Sequence, residues 1–146
     1  MRVDERHLGL LLGSAVPAKL GLNGLGEDLA MPKWALPPGN PGAIAITVGQ
    51  GHACTALSDG SAVCWGEGAL GQLGDDFTLP SRVPVKVSSL PDGKERVTSL
   101  AAGYDQTCAI LSDGSPRCWG NNRDQQLGSI DPSSTFSASP KRLPAW

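Results

Sequence analysis

The sequence predicts an all-β protein, an incomplete β-propeller of about three antiparallel blades. Three observations support this class. A motif of about fifteen residues is present twice, and the apolar residues around it alternate with a period of two. Nineteen glycines and twelve prolines would interrupt long helices often. Short strands in units of about 50 residues are typical of propeller blades or of a comparable β-repeat.

The repeat extends well beyond this motif. The segment VGQGHACTALSDGSAVCWGEGALGQLG (48–74) aligns without gaps with AGYDQTCAILSDGSPRCWGNNRDQQLG (102–128). A third, weaker copy, HLGLLLGSAVPAKLGLNGLGE, begins at His7 and aligns with the residues that follow His52. We therefore divide a single partial propeller, residues 1–146, into three approximate units. They are a degenerate unit at 1–46, a clear unit at 47–100 and a truncated unit at 101–146.

Each unit is predicted to form three or four short strands. In HACTAL and AVCWG the side chains alternate in character on either side of SDGS, which predicts a β-hairpin. The segments AIAITVG and VTSLAAG predict a strand before each hairpin, and VPVKV predicts a fourth, extended piece with prolines that suit a sheet edge.

The hairpin turn has two possible registers. A two-residue turn at Asp59 and Gly60 would place Cys54 opposite Trp65. A three-residue loop, with Gly60 in a left-handed conformation, would place Cys54 directly opposite Cys64.

The weaker copy favours the second register. It carries Gly9 and Lys19 at the two cysteine positions, so that both cysteines are absent together. Residues that are lost as a pair behave as partners, and opposed strand positions lie within disulfide distance. The sequence therefore predicts two disulfides within the blades, Cys54 with Cys64 and Cys108 with Cys118.

Two other uses of the cysteines remain open. Four thiolates could hold zinc, although zinc motifs place cysteines closer together than the nine intervening residues found here. The cysteines could also be buried free thiols. If the disulfides form, the expected location is the cell surface, the periplasm or the extracellular medium. No convincing signal peptide accompanies them.

Charge and composition exclude several function classes. The formal charge is −2, and lysines and arginines are scattered singly, which argues against a nucleic-acid partner. No apolar run approaches the length that crosses a bilayer, so membrane insertion is not expected.

The sequence carries no recognisable catalytic constellation. His7 and His52 occupy the same repeat position, where the third copy has Gln106, and this pattern predicts a structural hydrogen bond to a neighbouring strand. We expect no enzyme activity, no metal and no cofactor. The other recurring positions are predicted to be structural: Trp65, Trp119, Gly66, Gly120, Asp59, Asp113, Gly60 and Gly114.

The segments HACTALSDGSAVCWGEGALGQLG and QTCAILSDGSPRCWGNNRDQQLG resemble the regulator of chromosome condensation repeat, in its cysteine-bearing bacterial style. The resemblance covers most of the chain and implies blades of a propeller that is complete with seven. Members of that family include a nucleotide exchange factor for a small GTPase, ubiquitin-ligase subunits and a secreted inhibitor of β-lactamases. What they share is protein recognition through loops.

The resemblance therefore implies a non-catalytic interaction or scaffold module that binds an unidentified protein, with loops 75–81 and 121–126 as candidate contacts. Three units cannot close a ring of seven, so we expect a fragment of a longer protein, or self-association through uncapped blades. One alternative is an accessory part of a larger enzyme or cell-surface protein. Another is a guanine-nucleotide exchange factor, for which no exchange residue can be matched.

Overall fold

The computed structural model describes residues 41–90, 95–128 and 133–143. The degenerate unit predicted at 1–46 lies outside this part of the chain, apart from its last six residues. Eight strands are described: β1 (Ala43–Val48), β2 (His52–Leu57), β3 (Ala62–Gly66), β4 (Ser81–Lys86), β5 (Val97–Ala102), β6 (Gln106–Leu111), β7 (Pro116–Asn121) and β8 (Phe136–Arg142).

The strands form two four-stranded antiparallel sheets, ordered β1-β2-β3-β4 and β5-β6-β7-β8. We call them blade 1 and blade 2. In each sheet, strands that follow one another in sequence lie side by side, which is the meander that each unit was expected to form. The prediction of an all-β fold of antiparallel blades is confirmed for the described residues, which comprise two blades.

Both hairpins turn through a three-residue loop. In blade 1 the Leu57 amide donates to the Ser61 carbonyl at 2.8 Å, and Gly60 has a φ of +92°. The Asp59 carboxylate accepts hydrogen bonds from the amide and the hydroxyl of Ser61, at 2.8 and 2.7 Å. Cys54 therefore pairs with Cys64, and Cys108 pairs with Cys118 in blade 2.

The glycine that follows each tryptophan marks an irregularity in its strand. The register between β3 and β4 shifts at Gly66, and the register between β7 and β8 shifts at Gly120. These glycines have φ values of +109° and +102°. A Cβ on Gly120 would collide with the backbone of Asp105, so that only glycine suits this bulge.

The hydrophobic core lies between the two blades. Both sheets contribute to one buried cluster, and Trp119 of blade 2 is 0% exposed within it. The Trp119 Nε1 donates to the carbonyl oxygen of Gln72 in blade 1 at 2.9 Å. A second contact joins the blades at the turns, where the Val97 amide donates to the Gly60 carbonyl at 2.9 Å. The blades thus stack face to face.

The two turn glycines provide a matched test of this stacking. Alanine at Gly60 or Gly114 meets the same penalty of about 1–2 kcal/mol for a left-handed residue. A Cβ on Gly60 would also lie 2.9 Å from Cβ and 3.2 Å from Cα of Arg96, whereas nothing lies within 4 Å of one on Gly114. We expect Gly60→Ala to lower the free energy of unfolding more than Gly114→Ala in urea titrations. Equal losses would contradict the described packing of this turn.

Candidate functional site

The structure joins Cys54 to Cys64 and Cys108 to Cys118 as disulfides, each with a Cα–Cα distance of 4.1 Å. Cys54 and Cys64 are fully buried between the blades, while Cys108 is half-buried. The described residues contain no free cysteine and no cluster of three or more side chains suited to a metal ion.

His52 links blade 1 to blade 2. Its Nε2 lies 2.7 Å from the hydroxyl of Thr107, and that hydroxyl donates to the carbonyl oxygen of Gln72 at 3.4 Å. His52 can therefore donate from Nε2 to Thr107 as a neutral imidazole. A Cβ on Gly49 would lie 2.6 Å from Nδ1, so only glycine at position 49 leaves room for the ring. The hydrogen bond predicted for His52 is confirmed, with a strand of the adjacent blade as its partner; His7 lies outside the described residues.

Burial lowers the pKa of His52 to about 4 from an ordinary value of 6.5. Between these two values the unfolded chain binds a proton that the folded chain does not, so the free energy of unfolding falls as the pH is lowered. The loss amounts to about 3 kcal/mol when the pH reaches the folded pKa.

We expect this loss in urea titrations between pH 7 and pH 4. The control is His52→Gln, which copies the residue at position 106. In this variant the free energy of unfolding should fall less steeply between pH 7 and pH 4, because the contribution of His52 is absent. An unchanged slope in this variant would contradict the assignment.

The corresponding position in blade 2 differs. Gln106, Cys108 and Ile110 point to the side of blade 2 that blade 1 does not cover, and they are half-buried or exposed. Their counterparts His52 and Cys54 are buried, since blade 2 covers them. Blade 2 therefore presents an open face within the described residues.

Trp119 of blade 2 packs tightly against the β3–β4 connection of blade 1, and this contact joins the blades. Gly74 has a φ of +70°, and a Cβ there would lie 2.7 Å from Nε1 of Trp119. Trp65, at the same place in blade 1, is 8% exposed. Both indoles are parts of the packed interior, so neither offers a platform for a ligand.

The connections divide into two ends of opposite charge. We call the end formed by the β1–β2, β3–β4, β5–β6 and β7–β8 connections the loop face, and the opposite end the turn face. Five carboxylates and two arginines give the described loop face a formal charge of −3: Glu67, Asp75, Asp76, Asp105, Asp124, Arg82 and Arg123. Among the described residues of the turn face, with the adjoining strand ends included, three carboxylates and five basic groups give +2: Asp59, Glu95, Asp113, Lys86, Arg96, Arg117, Lys141 and Arg142.

Exposed apolar side chains lie on the loop face. Phe77 and Leu79 are 62% and 66% exposed within loop 75–81, and Tyr104 is 65% exposed between β5 and β6. Tyr104 was missed in the sequence, although it stands where the first copy has Gln50. Loop 121–126 is partly structural, because Asn122 is buried and bonds the Ser134 carbonyl and the Leu127 amide, both at 2.9 Å.

Two four-stranded antiparallel sheets that stack through one core and repeat the same turns define adjacent blades of a β-propeller. The family follows from direct matches. Models of the regulator of chromosome condensation (RCC1) repeat match residues 59–110 and 97–126. Residues 59–126 of this chain therefore carry repeats of the RCC1 family.

Known relatives are much longer than this chain. It is 34% identical over 83 residues to RCC1 domain-containing protein RUG3, mitochondrial, of Arabidopsis thaliana, which covers 57% of this chain and 18% of RUG3. The crystal structure of human WBSCR16 matches with a TM-score of 0.64 and 27% identity, over 71% of this chain and 26% of the other.

A further structure, Prp20p from Saccharomyces cerevisiae, was described together with its binding properties to Gsp1p and histones. It matches with a TM-score of 0.58 and 24% identity, over 69% of this chain and 25% of Prp20p. At this identity the match bears on the fold alone. Separately, no helix in the part of the chain that the structure describes is long and apolar enough to cross a membrane.

Proposed function

We propose that these blades are a non-catalytic protein-interaction module that presents its loop face to a protein partner. The proposal rests on a contrast between two sets of side chains. Buried polar groups form hydrogen bonds within the scaffold, whereas large apolar groups are exposed on the loop face. Five buried polar side chains hydrogen-bond within the scaffold: His52, Thr55, Gln72, Thr107 and Asn122. They are thereby engaged in holding strands and loops together.

The loop face has the composition of a binding surface. Tyr104 stands 65% exposed on it, and exposed tyrosine is a frequent anchor of protein interfaces. The formal charge of −3 among the described residues favours a partner with a basic contact surface, because opposite charges speed and orient association.

A photo-crosslinking amino acid at Tyr104, in the full-length protein in its native cells, tests the proposal. We expect a discrete protein adduct from position 104, because this side chain projects from the loop face. Position 112, an exposed serine on the turn face, is the matched control and should give none. No adduct from 104, or equal adducts from both positions, would contradict the proposal.

A parallel assay addresses exchange activity. Nucleotide release from a panel of small GTPases should proceed at the same rate with and without the protein. A clear acceleration would instead establish an exchange factor.

A further inference from the structure

One side of blade 1 is buried although blade 2 does not lie against it. Ala53, Thr55 and Leu57 of β2 and Trp65 of β3 project to the side opposite Cys54, because side chains alternate along a strand and directly paired residues share a side. They are 0%, 3%, 5% and 8% exposed. We call these four residues the second face of blade 1.

Blade 2 shows how a covered face and an uncovered face differ in this fold. Its equivalent residues Thr107, Ala109, Leu111 and Trp119 are at most 1% exposed, and blade 1 covers them. On the open face of blade 2, by contrast, Ile110 is 39% exposed. The second face of blade 1 therefore has the burial of a covered face.

No described strand covers the second face. All eight strands of residues 41–90, 95–128 and 133–143 belong to the two blades, and blade 2 lies on the side of Cys54 and Ala56. The β3–β4 connection also reaches towards blade 2, because the Gln72 carbonyl accepts a hydrogen bond from Trp119. The covering residues therefore belong to a part of the chain outside these strands, or to another molecule.

The second face favours an apolar occupant. Leu57 and Trp65 present mainly apolar surface, and the Thr55 hydroxyl already donates to the Ala45 carbonyl at 2.8 Å. A charged segment on this surface would lose its hydration without gaining a hydrogen-bond partner from these side chains. The chemistry of the face therefore calls for a run of residues without charges.

The N-terminal part of the chain contains such a run. Residues 91–94, 129–132 and 144–146 are too short to cover a sheet whose strands are about 20 Å long, whereas residues 1–40 lead directly into β1. Within them, LGLLLGSAV (Leu8–Val16) carries four leucines and no charged residue. The residues between this run and β1 can span far more than the width of a blade.

We propose that Leu8–Val16 packs on the second face of blade 1, with its leucines against Leu57 and Trp65. This contact differs from the one between blades 1 and 2. Lys19 stands at the place of Cys64, which is 0% exposed in blade 1, and a lysine is not buried in such a place without a partner. The apolar run therefore carries the contact, and the proposal is independent of the loop-face function.

A photo-crosslinking amino acid in place of Val48, in the full chain, tests the proposal. Val48 pairs with Ala53 and is 42% exposed, so it marks the accessible rim of the second face. After irradiation and trypsin digestion, mass spectrometry should find position 48 joined to the peptide of residues 7–19, which lies between Arg6 and the bond after Lys19. Position 110, which is 39% exposed on the open face of blade 2, is the matched control and should give no such product. No product from position 48, or equal yields from both positions, would overturn the proposal.

Two further arms identify the molecule and the residues that cover the face. In an equal mixture of unlabelled and ¹⁵N-labelled chains, each product should carry one label only, whereas a mixed product would show that a second copy covers the face and would overturn the proposal. Leu10→Asp/Leu12→Asp should lower the yield from position 48 about fivefold, because a carboxylate is costly to bury, with an unchanged circular dichroism spectrum. Leu22→Asp/Leu25→Asp, outside the run, should leave the yield unchanged. Equal effects of the two double variants would also overturn the proposal.

Discussion

Trp119→Ala is expected to lower the free energy of unfolding by about 3–5 kcal/mol, the loss typical of a large aromatic side chain removed from a core. Trp119 is 0% exposed and packs in the cluster that both blades share. The change would remove this packing and leave the Gln72 carbonyl without its indole donor. Urea unfolding followed by circular dichroism measures the loss.

Trp119→Phe separates the two contributions. It retains most of the apolar contact but cannot donate to Gln72, whose carbonyl lies 2.9 Å from Nε1. We expect a loss of about 1–2 kcal/mol, the cost of an unsatisfied buried acceptor. If the alanine variant were no less stable than the phenylalanine variant, Trp119 would not be the centre of the joint.

Removal of Cys54 and Cys64 together is the second large effect. Each disulfide closes a loop with a sequence separation of 10, and such a bridge contributes about 3 kcal/mol by restricting the unfolded chain. Cys54→Ala/Cys64→Ala should cost this amount and more, because both side chains are 0% exposed and their loss leaves space in the core.

Cys108→Ala/Cys118→Ala is the matched control. It opens a loop of the same length, but Cys108 lies on the open face of blade 2, so the smaller loss is expected there. Thiol titration of the denatured protein without reductant should find no reactive groups. Four reactive thiols would show that neither bridge forms. We propose on the same grounds that the protein works in an oxidising compartment.

The local structure of a blade could be predicted from the sequence because its determinants are local. Gly60 permits the left-handed turn, Asp59 binds the Ser61 amide, and together they define the pairing of Cys54 with Cys64. The differences between the two copies spare the SDGS turn and the cysteines, so that one copy predicts the other.

The joint between the blades could not be predicted in the same way. All six residues of β2 are buried, although alternation along a strand suggests one polar and one apolar side. Stacking explains one side of the strand, since the residues on the side of Cys54 lie against blade 2. The partner of His52 is Thr107, 55 residues later, and no periodicity relates the two.

The hydrogen bond from His52 to Thr107 limits how the repeat units of such a chain can be duplicated or reordered. The residue of blade 1 that corresponds to Thr107 is Ala53, which has no hydroxyl. A gene that duplicated blade 1 in tandem would therefore set a buried imidazole against a methyl group, without an acceptor. Although the units share a template, each has become specific for its neighbour, and their order along the chain cannot be permuted without loss.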